Sequence, residues 1–213
     1  MLTERLKACE VSAAANEQVI GSAAQFSHLL ALEVPAPWPR EALLAEHLPA
    51  PIRAALTQAV ITQPGLRVQA LLPHPTPPPQ PLVVRVLYFW LPPGQQAPFA
   101  KRAFALPAAE IPALIATLTT PNGDSNRFAE FEQPAQPIRE LLVCTHGSRD
   151  TCCGTFGFPI YQWLHTTSIT RQDFRVWRTS HIGGHRFAPT LLDMPSGRTY
   201  GRLTAALLPR LLD

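Results

Sequence analysis

An α/β fold with thioredoxin-like mixed sheets is predicted by three features of the sequence. Apolar runs of strand length alternate with segments of helical spacing. The same succession, in outline β-α-β-β-α, occurs twice along the chain, as a pattern of elements rather than of residues. Proline stands at 24 of 213 positions, against an average of about 5%, which favours short elements and rigid connections over long helices. Two similar halves packed together are therefore expected, with the first over residues 1–125 and the second over 126–213.

In the first half, "FSHLLALEV" (26–34) reads as a buried strand closed by "PAPWPR". Helical spacing follows in "EALLAEHL" and "PIRAALTQAVI", each opened by an acidic residue or a proline. "GLRVQALLP" (65–73) and "PLVVRVLYFWL" (81–91) are strands joined by "HPTPPPQ", an extended polyproline-like connector. "KRAFALP" (101–107) adds a strand and "AEIPALIATL" (109–118) a short helix. The polar segment 119–137 separates the halves. In the second, "IRELLVC" (138–144) is a strand, and "GFPIYQWLHTT" (157–167) is a helix that places Pro159 in its first turn. "FRVWRTS" (174–180) and "RFAPTLLDMP" (186–195) are strands, "SGRTYGRL" a turn with a short strand, and "TAALLPRLLD" the closing helix or turn.

Composition excludes several function classes. Hydrophobic residues make up 46% of the chain and charged residues 15%, enough apolar surface for a sizeable core without staples. A net charge of +3 with Arg and Lys scattered singly leaves no nucleic-acid footprint. The N-terminal "MLTERLKACEVSAAANEQ" has no apolar run for a leader or membrane span, so a cytoplasmic protein without membrane partners is expected. In that compartment the four cysteines are expected to be free, metal-bound or redox-active rather than in structural disulfides. Cys9 stands alone and reads as a plain thiol. No Gly-rich dinucleotide loop is present, and no pair of carboxylates suggests sugar hydrolysis.

The chemistry concentrates in "VCTHGSRDTCCG". Its Cys-Thr-His opening is like one half of a Rieske loop, but no second Cys-x-x-His follows. Cys144 ends a predicted buried strand, and Cys153 lies just before a predicted helix. There the partial positive charge of the helix start and Arg149 favour a thiolate. Twenty-eight residues beyond Cys153, "HIGGH" presents His181 and His185 on a loop, with Gly183 and Gly184 allowing the backbone a close approach. Two cysteines and two histidines suit a tetrahedral zinc site. They equally suit a [2Fe–2S] cluster with one iron on each pair. Spacing does not separate the two.

These motifs resemble the sucrase/ferredoxin-like family. Its pattern, Cys-x-His-x-x-Arg-Asp closing with Cys-Gly and then His-x-Gly-Gly-His-x-x-Ala, is met at Cys144, His146, Arg149, Asp150, Cys153, Gly154, His181, Gly183, Gly184, His185 and Ala188. The resemblance covers about residues 140–202, with a fainter likeness at "GSAAQFSHLLALEVPAPWP". One departure is Pro189-Thr190, where some members have Gly-Asn. The resemblance implies a thioredoxin-like ferredoxin domain in the second half, a degenerate first half without a cluster, and a [2Fe–2S] cluster on Cys144, Cys153, His181 and His185.

Cys152 competes with Cys153 for the second sulfur position, and the Cys-Gly match favours Cys153. His146, Arg149, Cys152, Gly183 and Gly184 are then neighbours of the ligands, with His146 an outer hydrogen-bonding or loop-ordering group. The expected function is electron transfer with an unidentified redox partner protein or reductase, an electron carrier more than a stand-alone enzyme. The rival is a structural Cys2His2 zinc module for protein interaction. A thiol oxidoreductase on Cys152–Cys153 ranks lower, since the Cys-x-x-Cys spacing is missing.

Overall fold

A computed structural model of the chain describes residues 7–73, 83–120, 123–134 and 138–213. The connector at 74–80 falls outside them. The chain forms two compact units: Gln25–Pro137, and Met1–Ala24 joined to Ile138–Asp213. The division expected at 125/126 is thus displaced to 137/138, and the chain's start groups with its end. The cause lies in the contacts of helix α1 (Ala8–Ala14), which packs on the turn His185–Phe187. Arg202 donates to the carbonyl and hydroxyl of Ser12, and Arg186 pairs with Glu17.

Within Gln25–Pro137, strand β1 (His28–Glu33) is followed by α2 (Ala50–Thr62) and β2 (Leu66–Leu71). Then come β3 (Val83–Trp90), β4 (Ala100–Pro107) and α3 (Ile111–Leu118). β1 pairs parallel with β2 and antiparallel with β3, and β4 runs antiparallel to β3, in the order β4-β3-β1-β2. Leu30, Leu32, Val86, Phe104 and Leu106 meet Ile52, Leu56 and Leu114 of the two helices in one core. "EALLAEHL", expected as a helix, makes only a 3₁₀ turn at Ala42–Leu44. Its buried positions Ala42, Ala45 and Leu48 recur every third residue, the period of a 3₁₀ turn and not of an α-helix.

The second unit repeats the topology. β5 (Arg139–Cys144), α4 (Thr151–Arg171) and β6 (Phe174–Thr179) precede β7 (Leu191–Met194), β8 (Arg198–Tyr200) and α5 (Leu208–Leu212). β5 is parallel to β6 and antiparallel to β7, which pairs antiparallel with β8. In both units the third strand is antiparallel to its neighbours, so each is the same thioredoxin-like layer. The predicted strand at 186–195 shrinks to Leu191–Met194, because the residues before it turn at His185–Phe187. β5 is central and its last five residues are buried. Two of the buried acids here have local partners: Arg139 grips Asp193 at 2.9 Å, and Glu140 lies 3.7 Å from Arg175 and accepts from Trp177 at 2.6 Å.

Helix α4 begins six residues earlier than predicted. Asp150 caps it, its carboxylate accepting from the Cys152 backbone N–H at 2.8 Å, a stabilising arrangement at a helix start. The helix then continues through Pro159. In the sequence, Pro159 is the first-turn signal. The capping aspartate outranks it, and Cys153 therefore sits inside the first turn of α4, not ahead of it.

Candidate metal centre

Cys144 is the last residue of β5 and is fully buried. Its N–H donates to the Thr190 carbonyl at 3.1 Å, and the Thr145 N–H to the Thr179 carbonyl at 3.2 Å. The chain is thus held at the sheet's end as it leaves β5. Thr190 belongs to the Pro189-Thr190 departure, and it supplies this contact through its backbone. The loop then closes on itself: the N–H groups of Arg149 and Asp150 both donate to the His146 carbonyl. Two glycines let α4 lie close over this loop. A Cβ on Gly154 would come within 2.8 Å of the Gly147 Cα, and one on Gly157 within 2.0 Å of the Cys144 carbonyl oxygen. This close approach brings buried Cys153 toward Cys144.

The histidines arrive from the chain after β6. Gly183 and Gly184 hold positive φ values of 87° and 65°, a backbone that residues with a Cβ adopt at a cost. The 3₁₀ turn at His185–Phe187 follows. His181 Nδ1 lies 4.0 Å from Cys144 Sγ and 3.7 Å from Cys153 Sγ. The ligand atoms of Cys144, Cys153 and His181 all fall within 4.8 Å of one another. His185 is not in that group. Its ring centroid is 5.4 Å from that of His181, and its Nε2 is 4.0 Å from Asp150 Oδ2.

The two thiols share their acidity unequally. The hydrogen bond from Cys153, with others from His181 and the His146 and Ile182 N–H groups, holds the Cys144 thiol well below the ordinary thiol range despite burial. The same bond to Cys144, together with burial and the nearby Asp150 charge, pushes Cys153 up. Two buried sulfurs and an imidazole with no carboxylate among them form a soft donor set, the kind that selects zinc or iron–sulfur over hard cations. The residues fit either.

The remaining predicted neighbours have defined places. His146 is buried, and its Nδ1 accepts from the His181 backbone N–H at 3.2 Å, so it anchors the chain at the histidine rather than joining the group. Arg149 lies in the loop between the cysteines, its N–H bonded to His146. Cys152 is turned away from the group. It is joined by a disulfide to Cys9, which corrects the expectation of a lone N-terminal thiol. No spacing rule pairs residues 143 apart; only the packing of α1 brings them together.

Outside this centre, the unit Gln25–Pro137 has a cavity of about 240 Å³ lined in part by His28, Tyr88, Trp90 and Arg102. Here Tyr88 and His28 Nδ1 are hydrogen-bonded at 2.8 Å, and no motif marks these residues in the sequence.

A family model described as sucrase/ferredoxin-like matches residues 19–213. The chain is similar to the protein named "Altered inheritance of mitochondria protein 32" of Meyerozyma guilliermondii, 32% identical over 81 residues that make up 35% of this chain and 28% of that protein. The chain thus matches less than a third of that relative's length. No solved structure matches. Among the described residues, no helix is long and apolar enough to cross a membrane.

Proposed function

The chain belongs to the sucrase/ferredoxin-like family, and from that premise we propose that it is an electron-transfer protein holding one [2Fe–2S] cluster on Cys144, Cys153, His181 and His185. The observation that supports this most is the convergence of two buried thiols and the His181 imidazole at the meeting of β5, α4 and the Gly-Gly loop. Bound there, such a cluster supplies one-electron redox chemistry at a potential raised by its neutral imidazole ligands. The chain's own residues do the rest. Cys144 is already disposed to be a thiolate, and Cys153 gives up its proton on loading, as thiolate ligation requires. His181 turns Nδ1 to the sulfurs, leaving Nε2 to hold a proton. His185 lies further out, its Nε2 4.0 Å from Asp150 Oδ2. The burial of both sulfurs excludes water, and the more exposed histidines form the side open to a redox partner protein or reductase. Operation in the cytoplasm is part of the proposal.

The test is an absorption and paramagnetic-resonance spectrum of anaerobically purified protein, with iron and sulfide counts. Visible absorption with two irons and two sulfides per chain is expected. A colourless protein with one zinc per chain would overturn it. Replacing His181 or His185 by Cys should keep a cluster but lower its potential, because a thiolate adds negative charge.

A zinc site is the second reading, favoured by one observation. Three donor atoms within 4.8 Å of one another are compact enough for a single tetrahedral ion, with His185 or an outside ligand as fourth. The same metal count decides between them.

A further inference from the structure

We propose that Cys9–Cys152 is a second redox centre, a disulfide that a dithiol reductant opens to release helix α1 from the metal-binding unit. Little apolar burial holds α1 in place. The helix has seven residues, and of these only Cys9 and Ser12 are buried. Val11, which would be its apolar anchor, is half exposed. Besides its packing on the turn His185–Phe187, its attachments are polar: Arg202 to Ser12, the Cys9 N–H to Cys152 Sγ at 3.3 Å, and the Lys7 ammonium over the Phe156 ring. Just beyond the helix, Glu17 pairs with Arg186. The apolar cluster at the junction consists of Cys9, Cys152 and Ala188 with Phe156 against them. A seven-residue helix with so little apolar burial depends on its covalent bond.

The position of that bond gives its opening a consequence. Cys152 is the second residue of α4 and Cys153 the third, so the disulfide is anchored one residue from a proposed ligand. Helix α1 also packs on the turn His185–Phe187, which carries His185. The clasp therefore spans the two elements that bring cysteine and histidine donors together. Cys152 is fully buried and Cys9 nearly so, so a reductant reaches the bond when α1 frays. In the reaction a dithiol thiolate attacks one sulfur of the pair and the S–S bond breaks through a mixed disulfide. The second thiol of the reductant closes its own disulfide, and the two electrons and two protons end on Cys9 and Cys152 as thiols. A disulfide in a compartment that keeps thiols reduced is typically transient, catalytic or sensing, which suits this role.

Opening of the disulfide is independent of which metal the centre holds, and labelled peptides rather than spectra report it. Full-length, metal-loaded protein is treated with iodoacetamide under denaturing conditions, before and after incubation with dithiothreitol, and peptides carrying Cys9 and Cys152 are weighed. Backbone hydrogen exchange is followed in parallel. Neither cysteine should be labelled before reduction and both after it, with exchange over residues 8–17 and 185–188 rising at least tenfold while β5 and β6 stay protected. Cys9→Ser should show the fast exchange without reductant and gain nothing from dithiothreitol. Labelling of both cysteines in unreduced protein would overturn the proposal, as would unchanged exchange over 8–17 after reduction. Loss of the metal spectrum with these results intact would count against the cluster reading alone.

Discussion

A Cβ on Gly157 would stand 2.0 Å from the carbonyl oxygen of Cys144, closer than any non-bonded carbon and oxygen can approach. The relationship joins the second turn of α4 to the end of β5. It fixes the depth at which Cys153 faces Cys144. Gly157→Ala must therefore lift α4 off the strand and part the sulfurs. We expect a loss of about 2–4 kcal/mol in stability, as for overpacking at a buried site, and a metal content well below one site per chain. Thermal unfolding and elemental analysis check this. Gly154→Ala, which meets the Gly147 Cα at 2.8 Å, should act in the same direction with smaller effect.

The two adjacent cysteines should behave differently. Cys153 is within the donor group and Cys152 is bonded to Cys9. Cys153→Ser and Cys144→Ser should each abolish metal retention through gel filtration, whereas Cys152→Ser should retain it. Cys152→Ser should lose stability instead, up to about 4–5 kcal/mol if the full entropy of closing a loop of this length is recovered. Chemical denaturation measures that loss. Equal metal loss in the Cys152 and Cys153 variants would contradict the geometry.

His146 supports His181 through one bond from a buried position, its Nδ1 accepting from the His181 N–H. Removing the acceptor leaves a backbone donor unpaired and costs about 1–3 kcal/mol. His146→Ala should lower stability by that order and speed release of the metal to a chelator. His146→Gln, which restores an acceptor, should recover part of both. An unchanged release rate in the alanine variant would show that this bond does not position the ligand.

In the other unit, burial pushes the Tyr88 phenol up to about 12, and burial also holds His28, its hydrogen-bond partner, below the usual imidazole range. The folded phenol binds its proton above the unfolded value of about 10. Its contribution to stability is therefore complete below pH 10 and lost as pH rises from 10 toward 12. Spectrophotometric titration of phenolate absorbance should show a late-ionising component that Tyr88→Phe deletes. The variant's stability should also fall less steeply than the parent's above pH 10.

The likeness of the two halves was legible because it rests on apolar strand cores and proline punctuation, which leave local traces. The topology that the strands adopt, with order β4-β3-β1-β2 repeated as β8-β7-β5-β6, agrees with the expected thioredoxin-like layer. The start of α4 was misplaced because Pro159 is a strong first-turn signal, whereas the cap at Asp150 depends on a side-chain hydrogen bond. The 3₁₀ turn at Ala42–Leu44 was misread for a similar reason: burial, and not propensity, set its period.

The sequence by itself determined the four candidate ligands and the loops that bear them, since glycine, cysteine and histidine at fixed offsets are needed locally for the chain to turn and bind. Tertiary structure decided what those offsets cannot carry. The strand-end hydrogen bonds and glycine contacts bring Cys153 to Cys144 and His181, while His185 stands aside near Asp150. Tertiary structure also joined Cys9 to Cys152 across 143 residues. A contact between distant segments depends on how helices and strands pack, and no short-range pattern of residues encodes it.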